Sequence, residues 1–394
     1  MNRYIYCFLV LFLLSCTKED DLNIINVSNI SDQVGIVVSD TTKEKLAHCS
    51  LLYSDRFLND GTFWISYYCD ETQSIENPLH TTIYPVLCRL NIRKKYKDSL
   101  LRWPIIKANS IFKDIRIGNR ALYDPNLRVN ETNIQVYFQA LINGKTSIVY
   151  REFDKNKLQF KEELQISKLR YNNVDGKEQV YNLDDDGVAQ CLKDFGYQGK
   201  GITHLIITRF IEYKGYTYMA LTPYSGTSRG ILLKSSDGIV WDVVTIQPKD
   251  ILDIESQIEI VDDVIYYVAR SAYNKCFIGK YEMLYNRWTD LIEIPKSIGS
   301  RPEIFFFNNR LYTIYNINNP INFGWGVIPR NSATISEVNL SSLDLVTKFT
   351  IQNEYGFHYF SVSQFDNGLY MTYSEDRRKL NLHASDIVFL KLDL

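Results

Sequence analysis

The sequence predicts an all-β protein, a six-bladed β-propeller with a five-bladed ring as the alternative. Three observations carry that expectation. Tyrosine is abundant, at 28 of 394 residues, and with Phe, Ile and Val it supplies side chains that suit a pleated, half-buried surface. Short apolar runs pair off across "INGK", "YKGY", "VDDV", "FNNR" and "FDNG", which are hairpin signals. The hairpins also recur, each followed by a third strand and an aromatic residue that closes a charged turn. Five closures and a last unit make about six repeats of ~60 residues, and radial repetition of small sheets protects their edges.

Taken in order, the chain opens on "MNRYIYCFLVLFLLSC", one Arg followed by an apolar run from Tyr4 to Leu14. That run is too short to cross a bilayer and has the length of a signal-peptide core. "LLSC" resembles a bacterial lipobox, which implies removal of residues 1–15 and acylation of Cys16, an outer-membrane lipid anchor. Several acyl chains hold a protein on a membrane where one does so marginally. The following "TKEDD" resembles the acidic tag of surface-exposed Bacteroidota lipoproteins. Residues 16–33 read as the acylated cysteine and a flexible tether, and residues 34–394 as a single propeller domain. Loss of residues 1–15 leaves a net charge near −3. A near-neutral chain carries no electrostatic footprint for nucleic acid. Cys49, Cys69, Cys88, Cys191 and Cys276 are odd in number, widely spaced and without a CxxC; they suggest neither a disulfide framework nor a zinc site.

Strand candidates then follow almost without interruption, from "GTFWISYYC" to "LYMTYSE". The exception is "GVAQCLKDFGYQGKG" at 187–201, a short helix or a long loop. "SSDGIVW" at 235–241 is the clearest closure and resembles the Asp-box, in which Asp and Gly fold the turn and Trp plugs between neighbouring sheets. "YNRW" at 285–288 and "SLLRW" at 99–103 look like eroded copies, and Phe160 and Phe349 could take the same place. The C-terminal "SDIVFLKLDL" is expected to complete the first blade and close the ring.

The chemistry gathers in the second half. In "ESQIEIVDDVIYYVAR" an acidic residue opens one strand and Arg270 ends its partner, fifteen positions after Glu255. A hairpin brings both to the same end of the sheet. "RLYTIYNINNPINFGWGVIPRN" then supplies Asn319-Pro320 and Arg330, and "FHYFSVSQFDNGLYMTYSE" places Tyr359 ahead of an Asp-Asn-Gly turn. These three elements, over about residues 200–394, resemble the sialidase superfamily of β-propellers. The resemblance implies an exo-glycosidase acting on an acidic glycan. Two guanidiniums grip a sugar carboxylate by paired charge-assisted hydrogen bonds, here Arg270 and Arg330. Sialidases use a Tyr nucleophile; a phenol with an ordinary pKa near 10 needs a neighbouring base. The pair implied here is Tyr359 with Glu255. The implied general acid is Asp70, in "YYCDETQ", with Glu71 close behind.

One departure redirects the reading. The superfamily's first Arg stands in an "R-I-P" motif ahead of a "DG-T" turn. In "AHCSLLYSDRFLNDGTFW" that place falls to His48, and Arg56 lies too near the turn. This leaves room for another acidic sugar, or for a propeller of a carbohydrate-uptake system that binds glycan without cutting it. Arg301 begins a strand and is expected to point into the centre. His204 begins another and, with His48, points to a polysaccharide lyase using His and Tyr; His358 beside Tyr359 is a further candidate. A neutral-sugar glycosidase with paired carboxylates fits a five-bladed ring. "NLDDDG" lacks the alternation of a calcium loop and reads as a solvated turn. No cofactor or metal motif is found: there is no phosphate-binding glycine loop and no HExxH. The oligomeric state is not legible.

Overall fold

The computed structural model describes residues 24–26, 36–38, 46–70, 83–94, 100–106, 111–112, 115–116, 123–225, 229–249, 251–289, 291–298, 300–317, 321–322, 327–328, 332–352, 356–376, 385–392 and 394. Among them strands dominate, with one α-helix, Asp185–Asp194, and one 3-10 turn, Met283–Tyr285. The segment proposed as signal peptide lies outside the described residues, as do Asn319, Pro320 and Arg330; of the expected flexible tether, Ile24–Asn26 is described and forms a strand parallel to residues 350–352.

The strands form antiparallel arms of the four-stranded kind, each wound from an inner to an outer edge. The first arm holds Leu46–Ser54, Thr62–Asp70, Ile83–Asn91 and Leu100–Pro104; the second holds Tyr123–Val129, Asn133–Ile142, Lys145–Asp154 and Gln159–Ile166. The third runs from His204–Ile207 and Ile211–Tyr213 through Tyr216–Tyr224 and Ile231–Ser235 to Val240–Ile246. The hairpin of Lys168–Asn172 and Glu178–Asn182 extends its outer edge. The fourth arm holds Asp253–Val261, Val264–Ser271 and Cys276–Glu282 with two short outer strands; the fifth holds Glu303–Phe307, Arg310–Asn316, Ser332–Val338 and Leu345–Gln352. The sixth holds Gly356–Phe365, Gly368–Asp376, Ser385–Leu392 and, from the far end of the chain, Ile36–Val38.

Counted as hydrogen-bonded sheets this is a propeller of five blades, the alternative count. The first and sixth arms share one eight-stranded sheet through a single parallel pair, Leu46 with Ser385. That double blade is why the sequence periodicity counts six units. The expected closure is corrected as well. Ser385–Leu392 ladders along its whole length with Gly368–Asp376, and the chain's beginning supplies the outer strand beside it. A full antiparallel ladder satisfies many more backbone groups than one bridge, so the last strand stays in the last arm.

The five hairpin signals fold for one shared reason. Asn143-Gly144, Lys214-Gly215, Asp262-Asp263, Asn308-Asn309 and Asp366-Asn367 all have positive φ at both positions. Two left-handed residues match the twist of the flanking strands, and Asn, Asp and Gly adopt them most readily. The "SSDGIVW" turn is built as expected. Asp237 Oδ1 accepts from the amides of Ile239 (2.7 Å) and Val240 (3.0 Å), and Ser235 Oγ accepts from Gly238 N (2.8 Å). Trp241 is fully buried and packs on Phe210 and, across the gap to the second arm, on Tyr137. The eroded copy keeps part of this: Trp288 Nε1 donates to Thr245 of the third arm at 3.1 Å.

Inner strands are stitched together by side chains that bond a neighbour's backbone. Ser361 and Ser363 accept from Leu52 N and Ser54 N, Ser66 donates to Pro125 O, and Asn126 donates to Thr208 O. Gln257 accepts from Arg209 N, Glu259 from Phe306 N, and Gln364 donates to Phe306 O. A buried inner strand has no further sheet partner, so such bonds satisfy its edge. The stretch at 187–201 contributes the helix Asp185–Asp194 followed by a loop. The run Asp184–Asp186 is neither a calcium loop nor a solvated turn: Asp184 caps the helix, accepting from Gly187 N at 2.8 Å. Asp185 accepts from Thr146 N (3.2 Å) and Asp186 pairs with Lys145 (2.7 Å), anchoring the helix on the second arm. Cys88, Cys191 and Cys276 are buried free thiols.

Candidate functional site

The six inner strands run in the same sense around the axis, so their first residues share one mouth of the ring. That end receives Glu255 and Arg270 from the fourth arm, Arg301 just ahead of the fifth arm's inner strand, and Tyr359 from the sixth. Glu255 and Arg270 are direct cross-strand partners, and Arg270 Nη1 lies 2.9 Å from Glu255 Oε2. The Glu255 side chain is 8% exposed and that of Arg270 16%. Burial works against the charge on Arg270, but Glu255 and the nearby Tyr359 outweigh it and hold the guanidinium above its ordinary pKa. Arg301 is buried, and its guanidinium carbon stands 5.4 Å from the centre of the Tyr359 ring, a cation–π geometry.

Three register shifts mark this end. The ladders slip between His48 and Leu51, between Asp253 and Glu255, and between His358 and Ser361. Bulges re-aim side chains and are frequent beside sites. In the third, Tyr359 itself has φ +59°, a left-handed backbone that is costly for an aromatic residue and is sustained where the surroundings over-determine it. The sequence holds no signal for this conformation, because neither neighbour is Gly, Asn or Asp.

Other predicted residues are placed with less detail. Asp70 ends its strand opposite Leu46, and His48 pairs with Tyr68, so both backbones lie at the same mouth; their side chains, with that of His358, are outside the described set. His204 begins the third arm's inner strand, with Nδ1 3.0 Å from Thr203 Oγ1 and its ring against Tyr224. Burial holds its imidazole below the ordinary value. Arg56 lies towards the opposite mouth, in a cleft of about 250 Å³ with Arg128 and Arg209.

Sequence reasoning missed two buried groups. Arg209, on the stretch between His204–Ile207 and Ile211–Tyr213, reaches Glu303 Oε1 at 3.3 Å, Ile304 O at 3.1 Å and Glu259 at 3.6 Å. The alternation in "ESQIEIV" puts Glu255, Gln257 and Glu259 on one face, a signal that could have found this axial column. Asp253 is the second. It is fully buried, accepts a hydrogen bond from the Tyr267 hydroxyl and neighbours Glu255. Burial raises its carboxyl to about 7; the Tyr267 bond opposes that rise and the Glu255 charge adds to it.

A raised carboxyl has a defined consequence for stability. Between pH 4 and 7 the folded protein keeps a proton on Asp253 that the unfolded chain has released. Its contribution is complete at the acid end and is lost as pH rises to about 7. Asp253→Asn is expected to remove that dependence, which has a slope of at most about 1.4 kcal/mol per pH unit. Urea midpoints of both proteins across this window measure it; parallel curves would exclude Asp253 as the titrating group.

The fold and the mouth define a class: a β-propeller with guanidiniums, a carboxylate and a phenol converging at one end of the axis. Solved structures are similar to this chain in fold. A protein of unknown function from Dyadobacter fermentans aligns over 92% of this chain and 98% of its own, with 11% identity and a TM-score of 0.61. Trypanosoma rangeli sialidase in complex with sialic acid aligns over 91% of this chain with 9% identity and a TM-score of 0.55. NanB in complex with Optactamide aligns over 93% of this chain and 72% of its own, with 11% identity and a TM-score of 0.56. This chain spans just over half the length of the trypanosomal sialidases, 57% in that sialic acid complex. No sequence-family profile and no curated protein matches the sequence. At such identities the likeness establishes the sialidase-type propeller fold.

Proposed function

We propose that the protein binds the acidic residue of a glycan at this mouth and hydrolyses its glycosidic bond as a sialidase-like exo-glycosidase. The observation that carries this reading is the grouping of Arg270, Glu255, Arg301 and Tyr359, from three arms, at one end of the ring. Arg270 and Arg301 supply paired donors for a carboxylate. Tyr359 is the nucleophile, a neutral one that avoids repelling an anionic sugar. Glu255, held by Arg270, is its base, and Asp70 the acid. Arg330 is proposed as a further carboxylate ligand, and His48 and His204 as substrate contacts at the rim. The proposed setting is an outer-membrane lipoprotein anchored through Cys16, with residues 16–33 as tether and 34–394 as one propeller domain.

A second reading is a propeller that binds acidic glycan without turnover. His48 favours it, standing where the resemblance places an arginine. Calorimetric titration with a sialylated, a glucuronylated and a neutral oligosaccharide tests what the two readings share. The acidic sugars alone should bind, and Arg301→Lys should weaken them by roughly tenfold, because Lys does not reproduce the planar fork. Equal affinity for the neutral sugar would remove the proposal. The lyase reading predicts an unsaturated product absorbing in the ultraviolet.

A further inference from the structure

The helix Asp185–Asp194 and the loop after it stand on the same face of the ring as the mouth. The helix start is tied to Thr146 and Lys145 at the beginning of a second-arm strand. Thr203, at the loop's end, accepts through its carbonyl from Thr146 Oγ1. Between helix and loop lies a groove of about 600 Å³. Its walls are built: Tyr197 N donates to Leu192 O at 2.8 Å, and at Gly199 the loop comes so close to Ala189 that a Cβ there would strike the Ala189 backbone.

The charges along the groove are unequal. Asp186 is matched by Lys145, and Asp194 is engaged by the Gln190 amide (2.7 Å) and the Tyr171 hydroxyl (2.8 Å). Lys193 and Lys200 are exposed and pair with no carboxylate among the described residues. Arg229 adds a third cation, its guanidinium carbon 4.7 Å from the centre of the Tyr197 ring. Lys193 also suits the helix C-terminus and Arg229 is held by the carbonyls of Pro248 and Gln247, which leaves Lys200 as the cation whose place on the groove no described contact explains. The loop leads straight into the inner strand at His204. Four residues from Lys200 to His204 span at most about 14 Å, so the groove opens close to the rim of the mouth.

We infer that the groove is a remote subsite for an anionic oligosaccharide, holding carboxylate- or sulfate-bearing residues beyond the one bound at the mouth. The inference rests on the proposed glycan reading for its ligand and on the groove for its place. Multiple weak charged contacts along one chain raise affinity for the polymer without changing that for the monomer.

The test compares wild type with a Lys193→Gln, Lys200→Gln double variant, both positions being exposed. Hexamers of galacturonate and of sialic acid, a sulfated hexasaccharide, a neutral hexamer and the free acidic monosaccharides are titrated at low and moderate salt. The variant should bind acidic hexamers roughly tenfold more weakly, about 1.4 kcal/mol, with reduced salt dependence and unchanged monosaccharide affinity. Which hexamer loses most separates carboxylate from sulfate. Equal hexamer affinity in both proteins, with monosaccharide binding intact, overturns the groove alone. Hexamer binding that needs the lysines without any monosaccharide binding supports the groove and counts against the mouth. No binding of any acidic sugar overturns both.

Discussion

Tyr359→Phe is expected to abolish hydrolysis of a fluorogenic acidic glycoside while leaving affinity for the acidic sugar within a few-fold. Only the phenolic oxygen is removed. The ring stays beneath Arg301, so the left-handed backbone and the cation–π contact survive. Loss of a covalent nucleophile leaves only positioning and electrostatic stabilisation, and the turnover number should fall by at least about 10³-fold. Single-turnover kinetics with titration of the inactive variant measure both quantities. Retention of full activity would dismiss Tyr359 as nucleophile. Absence of turnover in the wild type, with binding preserved in both, would favour the non-catalytic propeller.

Arg209→Leu is expected to cost about 3–5 kcal/mol of stability, the range for breaking a buried ion pair from one side. The Glu303 side chain is fully buried and that of Glu259 14% exposed, and both face Arg209. Burial pushes both carboxyls up despite that cation, and Arg209 itself is held above its ordinary value because Glu303 and Glu259 outweigh its own burial. Without Arg209, Glu259 would be a buried charge lacking a counter-ion and Glu303 would keep only the Arg301 charge, so the loss should shrink as pH falls and they take up protons. A Glu303→Gln change in the Arg209→Leu background should recover part of it. Urea denaturation at two pH values checks this; an unaltered midpoint at neutral pH would mean that the axial ions contribute nothing net.

Much of the fold was legible because its signals are local. Turn pairs such as Asn143-Gly144 and Asp366-Asn367 announce a backbone that few residues adopt, and "SSDGIVW" folds through bonds among its own seven residues. The cross-strand meeting of Glu255 with Arg270 was readable for the same reason, since hairpin register follows from the turn. Arg301 was readable as a residue opening a strand, but its place over Tyr359 depends on how the fifth and sixth arms meet.

Composition, turn chemistry and strand spacing alone determined that this chain is a ring of small antiparallel sheets with an acid–base pair at one hairpin end. Those properties come from contacts within ten or twenty residues. Tertiary structure alone decided that the beginning of the chain completes the last arm, that a single bridge fuses two arms into one blade, and that a bulge turns Tyr359 towards two arginines. The first two depend on residues more than three hundred positions apart and the third on residues in other arms, all competing for the same hydrogen bonds and the same buried space, and the outcome of that competition is written in no local pattern.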